Sequence, residues 1–250
     1  MASSDKTVYL VTGGSRGIGL GVTSLLAQRD NALVFATARN PDSAKELQAL
    51  ASTHTNVIPV ALEVTSDESV TALVKAIEGK TGRVDVVLAN AGIGEAFVPA
   101  LETAVSEVRR HVEVDAIAPL LLFQHVYPLL KKSTSPKFVA VSSRGGSIGS
   151  IPHMPFPNTA YGAAKAALNY IVAKLHAEHG EKDDLTIVSY EPGMTITDMT
   201  KPLLSGWGIP ESHGLTIEQS AQGVVKLLDE AKRETHGGRF FDNEGKEVPW

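Results

Sequence analysis

Short apolar runs rich in β-branched residues alternate with longer amphipathic stretches along almost the whole chain. The runs predict strands at Val8 to Val11, Leu33 to Ala36, Val57 to Leu62, Val84 to Ala89, Phe138 to Val141, Leu185 to Tyr190 and Gly238 to Phe241. The stretches between them predict helices near residues 17–29, 42–53, 67–79, 102–131, 158–180 and 217–232. Apolar strands separated by helices are typical of a parallel sheet covered on both sides. We therefore expect a doubly wound α/β fold whose parallel sheet has about seven strands, with helices on both faces.

Length and composition limit the organisation of the chain and its partners. The 250 residues fit one large domain, no linker divides them, and 43% hydrophobic content is enough for a buried core. A net charge of -5 gives no basic field for nucleic acid or an anionic membrane. No run approaches the roughly 18 apolar residues of a membrane span, and the polar N-terminus differs from a signal peptide. The absence of cysteine excludes disulfides and thiol catalysis. We expect one soluble, cytoplasmic domain over residues 1–250, with neither nucleic acid nor membrane as a partner.

A glycine-rich loop joins the first predicted strand to the first predicted helix. The loop runs Thr12-Gly13-Gly14-Ser15-Arg16-Gly17-Ile18-Gly19. Its glycines permit a sharp bend, a close approach to a pyrophosphate and tight helix packing, and the helix presents free N–H groups to the phosphates. The spacing departs from G-x-G-x-x-G, and a plain turn is the alternative. The apolar strand in front of the loop favours nucleotide binding. The candidate binding residues are Gly13, Ser15, Arg16, Gly17, Ile18 and Gly19.

Tyr161 and Lys165 lie four residues apart in a predicted helix, so their side chains share one face. An unperturbed tyrosine has a pKa of roughly 10 and exchanges protons poorly at neutral pH. A nearby ammonium favours the phenolate and makes the phenol a stronger acid. An ordinary solvated pair is the alternative for these two residues taken alone. Beside a nucleotide loop, the pair indicates a proton donor.

Three shorter motifs accompany the glycine-rich loop and the Tyr161/Lys165 pair. With these five motifs, the chain resembles the classical short-chain dehydrogenase/reductase family over nearly its whole length. The shorter motifs are Asn90-Ala91-Gly92, Ser142-Ser143, and Pro192-Gly193 followed by Thr197. Within the family, the segments Ala38 to Pro41 and Val141 to Gly149 and the terminal Trp250 are most similar to small fungal and bacterial NADPH-dependent ketoreductases. The resemblance implies a Rossmann-type fold and hydride transfer from a nicotinamide cofactor to a carbonyl group.

The resemblance also assigns catalytic roles. It makes Tyr161 the proton donor, Lys165 the cation that lowers the pKa of Tyr161 and holds the nicotinamide ribose, and Ser143 a hydrogen-bond donor to the carbonyl oxygen. Strand alternation lets only one of two adjacent serines face the cofactor, which leaves Ser142 a structural role. Asp115 stands where the family usually has asparagine. If it faces Lys165, its charge is expected to raise the pKa of Tyr161.

The end of the second strand favours NADP over NAD. A carboxylate at this point would bind the 2′-hydroxyl of NAD, whereas this chain has Ala38 followed by Arg39. Arg39 and Arg16 are suited to bind a 2′-phosphate, with two solvated arginines as the alternative. Glu63 stands where the family commonly has aspartate. The remaining cofactor-binding residues that the resemblance implies are Glu63, Val64, Asn90, Ala91, Gly92, Tyr161, Lys165, Pro192, Gly193, Thr195 and Thr197.

Residues 194–215 are expected to form a substrate lid. The connection from Met194 to Pro210 is long and irregular, and such connections are often functional. Apolar residues that include Met199 and Trp207 would give the lid a face toward substrate, and a plain surface loop is the alternative. Phe156, before the tyrosine, is expected in the wall of a pocket for an apolar or aromatic carbonyl compound.

The expected activity is NADPH-dependent reduction of a ketone or aldehyde. The alternative is a non-catalytic NADP-binding redox sensor or scaffold protein, which the charge at Asp115 favours. The eight histidines have no metal-ligand spacing, so no metal is expected. The helices at 102–131 and 158–180 suggest a homodimer or homotetramer, with Val105, Val108 and Val112 as an apolar strip that can instead face the sheet.

Overall fold

The computed structural model describes residues 6–154 and 156–250, and seven parallel strands form its single sheet. The strands are β1 Thr7–Val11, β2 Ala32–Ala38, β3 Val57–Ala61, β4 Val86–Ala89, β5 Lys137–Val141, β6 Thr186–Tyr190 and β7 Phe240–Phe241. Their order across the sheet is β3-β2-β1-β4-β5-β6-β7. The chain winds outward from β1 to β3, returns to β4 beside β1, and then winds outward in the opposite direction. The expected doubly wound, Rossmann-type sheet is confirmed.

The strand order reverses between β1 and β4, and this reversal determines where a ligand can bind. Tyr9 of β1 pairs with Val34 of β2 on one side and with Val86 of β4 on the other. The connections that leave the carboxyl ends of β1 and β4 run in opposite directions, which opens a crevice between them. Every predicted site motif follows the carboxyl end of a strand or begins a helix at that edge.

Nine α-helices cover the sheet in the part of the chain that the structure describes. They are α1 Gly17–Ala27, α2 Lys45–Thr53, α3 Asp67–Thr81, α4 Val105–Val112, α5 Ala118–Leu130, α6 Thr159–His179, α7 Lys201–Gly206, α8 Ile217–Glu230 and α9 Arg233–His236. Two sequence expectations were wrong. The helix predicted over 102–131 is divided by a π-helical turn at Glu113–Ile117, and the connection predicted as irregular contains α7.

Alternation along the strands divides the core between the two faces of the sheet. Leu10 belongs to the cluster that α3, α5 and α6 cover, whereas its neighbour Val11 belongs to the cluster that α1 and α8 cover. Adjacent strand residues point to opposite faces, so an apolar strand supplies both clusters. Phe35 and Phe138 are almost fully buried in the first cluster. Replacing either by alanine would cost about 3–5 kcal/mol.

Close helix packing fixes α1, which begins at the glycine loop. A Cβ on Gly21 would lie 2.9 Å from Ile217 Cγ2 and 3.0 Å from Ala221 Cβ of α8. Glycine thus lets the two helices approach each other on one face of the sheet. The described helices include none that combines the length and the apolar character needed to cross a membrane.

Candidate active site

The glycine loop after β1 has the geometry of an anion-binding turn. Gly13 and Gly17 have φ angles of 67° and 56°, which glycine adopts without strain. A Cβ on Gly19 would collide with the carbonyl oxygen of Gly13, so a larger residue would push α1 away. Within the described chain, no side chain caps the N-terminus of α1, and its first N–H groups are free to bind phosphate oxygens. Ser15 and Ile18 flank the turn with half-buried side chains.

Asn90 and Thr12 fix this loop to the end of β4. The Asn90 side-chain amide donates to the carbonyl oxygens of Thr12 at 2.9 Å and Gly13 at 3.4 Å. The buried Thr12 hydroxyl accepts the backbone N–H groups of Asn90 at 2.9 Å and Ala91 at 3.0 Å. Thr12 therefore joins the two strand ends that border the crevice, and the Asn90 side chain holds the glycine loop in shape.

Two arginines without a carboxylate partner among the described residues follow the carboxyl ends of β1 and β2. Ala38 ends β2, and the exposed Arg39 follows it. Arg16 is exposed in the glycine loop. Among the described residues, neither arginine pairs with a carboxylate. Both guanidinium groups thus remain available for a phosphate, which fits a dinucleotide that carries a 2′-phosphate.

Glu63 and Val64 follow β3 beside the same crevice. The exposed Glu63 carboxylate accepts the Thr65 hydroxyl at 3.2 Å. Val64 lines a small, largely apolar pocket with Thr12 and Ala91. The exposed Glu63 carboxylate precedes Val64 in the chain and has lone pairs for an amino group of a ligand.

The two adjacent serines after β5 point to opposite faces, as strand alternation requires. Ser142 is buried, and its hydroxyl donates to the side-chain oxygen of Asn169 at 2.6 Å. Ser143 is half-buried, and its hydroxyl accepts the Gly145 backbone N–H at 3.0 Å. A Cβ on Gly145 would lie 3.3 Å from Ser143 Oγ and 3.6 Å from Tyr161 Cδ1, so the two side chains are close to each other. Of the two hydroxyls, only that of Ser143 is therefore near the predicted proton donor.

The turn after Ser143 packs directly on α6, and this contact sets the distance between the serine and the helix. A Cβ on Gly146 would lie 2.5 Å from the carbonyl carbon of Lys165, so only glycine permits the approach. Asn158, just before α6, donates its side-chain amide to the carbonyl oxygen of Gly145 at 3.2 Å. The close approach and this bond hold the turn and α6 together.

Lys165 and Asp115 form a buried ion pair. Lys165 Nζ lies 3.6 Å from Asp115 Oδ1 and donates to the Val141 carbonyl oxygen at 3.0 Å. The backbone N–H of Ile93 donates to the same Asp115 oxygen at 3.0 Å. Asp115 is 0% exposed, and its Oδ2 has no hydrogen-bond partner among the described residues. Asp115 therefore faces Lys165, which is the condition for its predicted effect on Tyr161.

Asp115 reaches this position because it lies in the π-helical turn between α4 and α5. A π turn changes the direction of the side chains relative to a regular helix, and such turns are frequent at functional sites. Gly92, opposite, leaves room for the carboxylate, since a Cβ there would lie 2.5 Å from Asp115 Oδ1. The sequence motif predicted Asp115 but gave no sign of the π turn.

The pKa of the Tyr161 phenol is raised above the ordinary value for tyrosine. Burial is the largest cause, because it disfavours the charged phenolate. Lys165 opposes this effect and Asp115 adds to it, while the nearby Ser143 hydroxyl opposes it and Glu191 adds to it. Lys165 Nζ lies 5.6 Å from the centre of the Tyr161 ring. The phenol therefore keeps its proton at neutral pH and has it available to donate.

The first and last residues of the connection between β6 and α8 lie next to each other. Gly193 has a φ of 78°, and a Cβ there would lie 2.7 Å from Leu215 Cδ1. Thr195 and Leu215 form a parallel bridge, and the N–H of Ile196 donates to the Leu215 carbonyl oxygen at 2.9 Å. Residues 194–215 thus form a loop that is closed at its base and carries α7.

The two candidate threonines of this loop have different surroundings. Thr195 is 2% exposed, and its hydroxyl is hydrogen-bonded to that of Ser220, which donates to the Pro192 carbonyl oxygen. Thr197 is half-buried, and its Cγ2 lies 3.7 Å from the position that a Cβ on Gly17 would take. The structure thus brings the side chain of Thr197, rather than that of Thr195, to the glycine loop.

An ion-pair network beside Ser143 was not predicted from the sequence. The Arg144 backbone N–H and guanidinium both donate to Glu191, at 3.1 Å and 3.0 Å, and the guanidinium also donates to Asp242 at 3.0 Å. These three residues follow β5, β6 and β7. Only the strand order brings them together, so no local sequence signal announces the network. In the part of the chain described, no cluster of three or more potential metal ligands occurs.

Comparison with known proteins identifies the family. The family described as short chain dehydrogenase matches residues 7–206, so the chain belongs to the short-chain dehydrogenases, a family of oxidoreductases. A short chain dehydrogenase of Penicillium aethiopicum is 36% identical over 251 residues, which cover 96% of this chain and 98% of that protein. The norsolorinic acid ketoreductase of Emericella nidulans is 35% identical over 260 residues, which cover 100% of this chain and 95% of that protein.

A solved structure agrees with the sequence relatives. The NADPH-bound carbonyl reductase from chicken fatty liver has a TM-score of 0.89 and 30% identity to this chain, and the match covers 98% of this chain and 99% of the other. The shared fold therefore includes the whole crevice and all the strands that border it.

Proposed function

We propose that this protein is an NADPH-dependent reductase that converts a ketone or aldehyde to an alcohol, with Tyr161 as the proton donor. The observation that carries the proposal is the convergence of three groups beside the glycine loop. Ser143 Oγ and Tyr161 Cδ1 lie 3.3 Å and 3.6 Å from the position that a Cβ on Gly145 would take, and Lys165 Nζ lies 5.6 Å from the centre of the Tyr161 ring. A hydrogen-bond donor, an acid and a cation at one point are the groups that carbonyl reduction needs.

The proposed reaction divides into hydride uptake at carbon and proton uptake at oxygen. When bound, NADPH supplies the hydride. Tyr161 gives its proton to the carbonyl oxygen, and the Ser143 hydroxyl donates a hydrogen bond to the same oxygen as charge builds there. Lys165 would hold the nicotinamide ribose, and it limits the rise of the Tyr161 pKa. The carbonyl compound leaves as an alcohol, and Tyr161 regains a proton from solvent.

Arg39 and Arg16 support NADPH as the cofactor. Both are exposed at the adenosine side, and the residue that ends β2 is Ala38 rather than an acid. A 2′-phosphate would meet two guanidinium groups and no carboxylate from this strand. The carbonyl reductase from chicken liver, which shares the fold, is described with NADPH bound.

The loop of residues 194–215 is proposed as the substrate lid, since it is closed at its base and touches the glycine loop through Thr197. Val105 on α4 is 63% exposed, which supports association of copies through this helix as a homodimer or homotetramer. A cytoplasmic location remains part of the proposal.

The proposed cofactor preference is tested with the Arg39→Ala variant. Wild type is expected to oxidise NADPH with a panel of aldehydes, ketones and quinones. Arg39→Ala is expected to raise the KM for NADPH about tenfold and to leave that for NADH nearly unchanged, because a charged hydrogen bond to phosphate is lost. Arg109→Ala, which removes an exposed arginine of α4, serves as the control. Equal effects on both cofactors would contradict the assignment.

A non-catalytic, NADP-binding sensor or scaffold is the second candidate. The buried Asp115 favours it, because its charge opposes the effect of Lys165 on the phenol. If the protein binds NADPH tightly but no carbonyl compound of the panel causes NADPH oxidation, this candidate is supported and the proposed reductase activity is overturned.

A further inference from the structure

Three aromatic rings from three separate connections form a contiguous cluster, and one of them contacts the ring of Tyr161. Phe97 follows β4, Phe156 precedes α6, and Trp207 follows α7. The Phe97 ring lies 5.6 Å from the Tyr161 ring and 5.8 Å from the Trp207 ring, which it meets edge-on at 85°. Phe156 and Trp207 stack at 4.4 Å with 19° between their planes. Trp207 is thus the ring that touches both of the others.

The rings are not part of the protein core. All three are half-buried, whereas the core clusters on both faces of the sheet consist of other side chains among the described residues. Phe97 contacts the predicted acid, and through it the half-buried rings of Trp207 and Phe156 extend an apolar surface next to Tyr161. The face of Trp207 and the edge of Phe97 offer the offset and T-shaped contacts that a flat aromatic ring prefers.

We infer that the site selects planar aromatic carbonyl compounds, such as aryl ketones and quinones, and that Trp207 is the residue that determines this preference. The inference rests on the proposed function and specifies its substrate class. The aromatic ring of the substrate packs on Trp207 and Phe97, and its carbonyl oxygen points to Tyr161. The carbonyl carbon gains the hydride from NADPH, the carbonyl oxygen gains the proton of the Tyr161 phenol, and the cofactor leaves in its oxidised form, NADP⁺.

Trp207 also connects substrate recognition to the loop of residues 194–215. It follows α7, which lies between the two bridged ends of that loop. Its contacts reach Phe97 and Phe156 on the opposite wall. An aromatic substrate packed beside these rings would add a contact to Trp207 and so hold the loop over the site, whereas a substrate without a flat ring would lack this contact.

Acetophenone and cyclohexyl methyl ketone provide a matched pair, since they share a carbon skeleton and differ in the flatness of the ring. The test compares kcat/KM for both ketones, with saturating NADPH, in wild type and in the variants Trp207→Leu, Trp207→Phe and Tyr170→Leu. Trp207→Leu removes the ring and Trp207→Phe keeps one. Tyr170→Leu removes a 73% exposed aromatic side chain of α6 as the control.

Wild type is expected to prefer acetophenone about tenfold, which corresponds to one or two aromatic contacts. Trp207→Leu should remove most of this preference by lowering kcat/KM for acetophenone alone, Trp207→Phe should keep most of it, and Tyr170→Leu should leave it unchanged. Equal losses for both ketones, or an intact preference in Trp207→Leu, would overturn the inference while leaving the reductase in place. Absence of turnover in wild type with either ketone and with quinones, despite NADPH binding, would overturn both.

Discussion

At the scale of residues, Asp115 places a carboxylate beside the predicted cation Lys165, and this carboxylate affects the acid of the site. Asp115 lies 3.6 Å from Lys165 Nζ and raises the pKa of Tyr161, whereas Lys165 lowers it. The acidity of Tyr161 thus depends on a balance between two opposite charges on neighbouring elements.

Replacing Asp115→Asn should move the pH profile of the reaction toward lower pH with activity retained. The neutral amide still accepts from the Ile93 N–H but no longer raises the Tyr161 pKa. Reduction needs the protonated phenol, so its loss of rate at alkaline pH should begin at a lower pH in the variant. The measurement is kcat against pH for both proteins. Superimposable profiles would show that Asp115 does not influence the acid.

At the scale of elements, a hydrogen-bonded cluster on the far side of the molecule joins α5 to the end of α6. The Tyr127 hydroxyl of α5 donates to Asp183 at 2.7 Å, and His179 Nδ1 lies 2.9 Å from the same oxygen. The bond from Tyr127 is the main reason that the pKa of Asp183 is lowered, and His179 and Lys131 contribute. The two helices that carry Asp115's turn and Tyr161 are thus tied together outside the site.

Asp183→Asn should lower the melting temperature at neutral pH by about 2–4 °C, the shift expected from roughly 1 kcal/mol in a domain of this size. Because folding lowers the Asp183 pKa, its contribution is complete above the unfolded value of about 4 and is lost as the pH falls through the folded value. Thermal unfolding followed by circular dichroism at neutral and strongly acidic pH tests this. A difference between the proteins that persists at acidic pH would refute it.

The elements themselves follow from the sequence to different degrees. Buried parallel strands are continuous apolar runs, and each predicted strand agrees with the observed one to within a few residues. The π turn at Glu113–Ile117 was not predictable, because its hydrogen bonds shift by one residue without changing the apolar pattern. α7 has only six residues, too few for a periodic signal.

At the scale of the whole molecule, the order of the strands assembles the site. β1, β4, β5 and β6 are neighbours, so the glycine loop, Asn90, Ser143 and Gly193 share one edge of the sheet. The sequence motifs predicted each of these residues separately, without the sheet edge that brings them together. The Arg144 network and the contact of Phe97 with Trp207 join segments far apart in the chain and depend on that order.

The C-terminal residues complete this assembly. The Pro249 carbonyl oxygen accepts the Ser147 hydroxyl at 2.6 Å, and that of Trp250 accepts the Gly149 N–H at 2.8 Å. The end of the chain therefore holds the segment between the predicted serine and tyrosine of the site. The sequence marked Trp250 only through its resemblance to related reductases.

The central claim is that Tyr161 donates the proton during carbonyl reduction by NADPH. The most direct test is the rate of NADPH oxidation by a carbonyl substrate at saturating cofactor in wild type, Tyr161→Phe and the control Tyr170→Phe. We predict that Tyr161→Phe binds NADPH normally but turns over at least about 100-fold more slowly, since a positioned acid contributes that much or more. Tyr170→Phe should match wild type. Turnover by Tyr161→Phe within a small factor of wild type would contradict the claim.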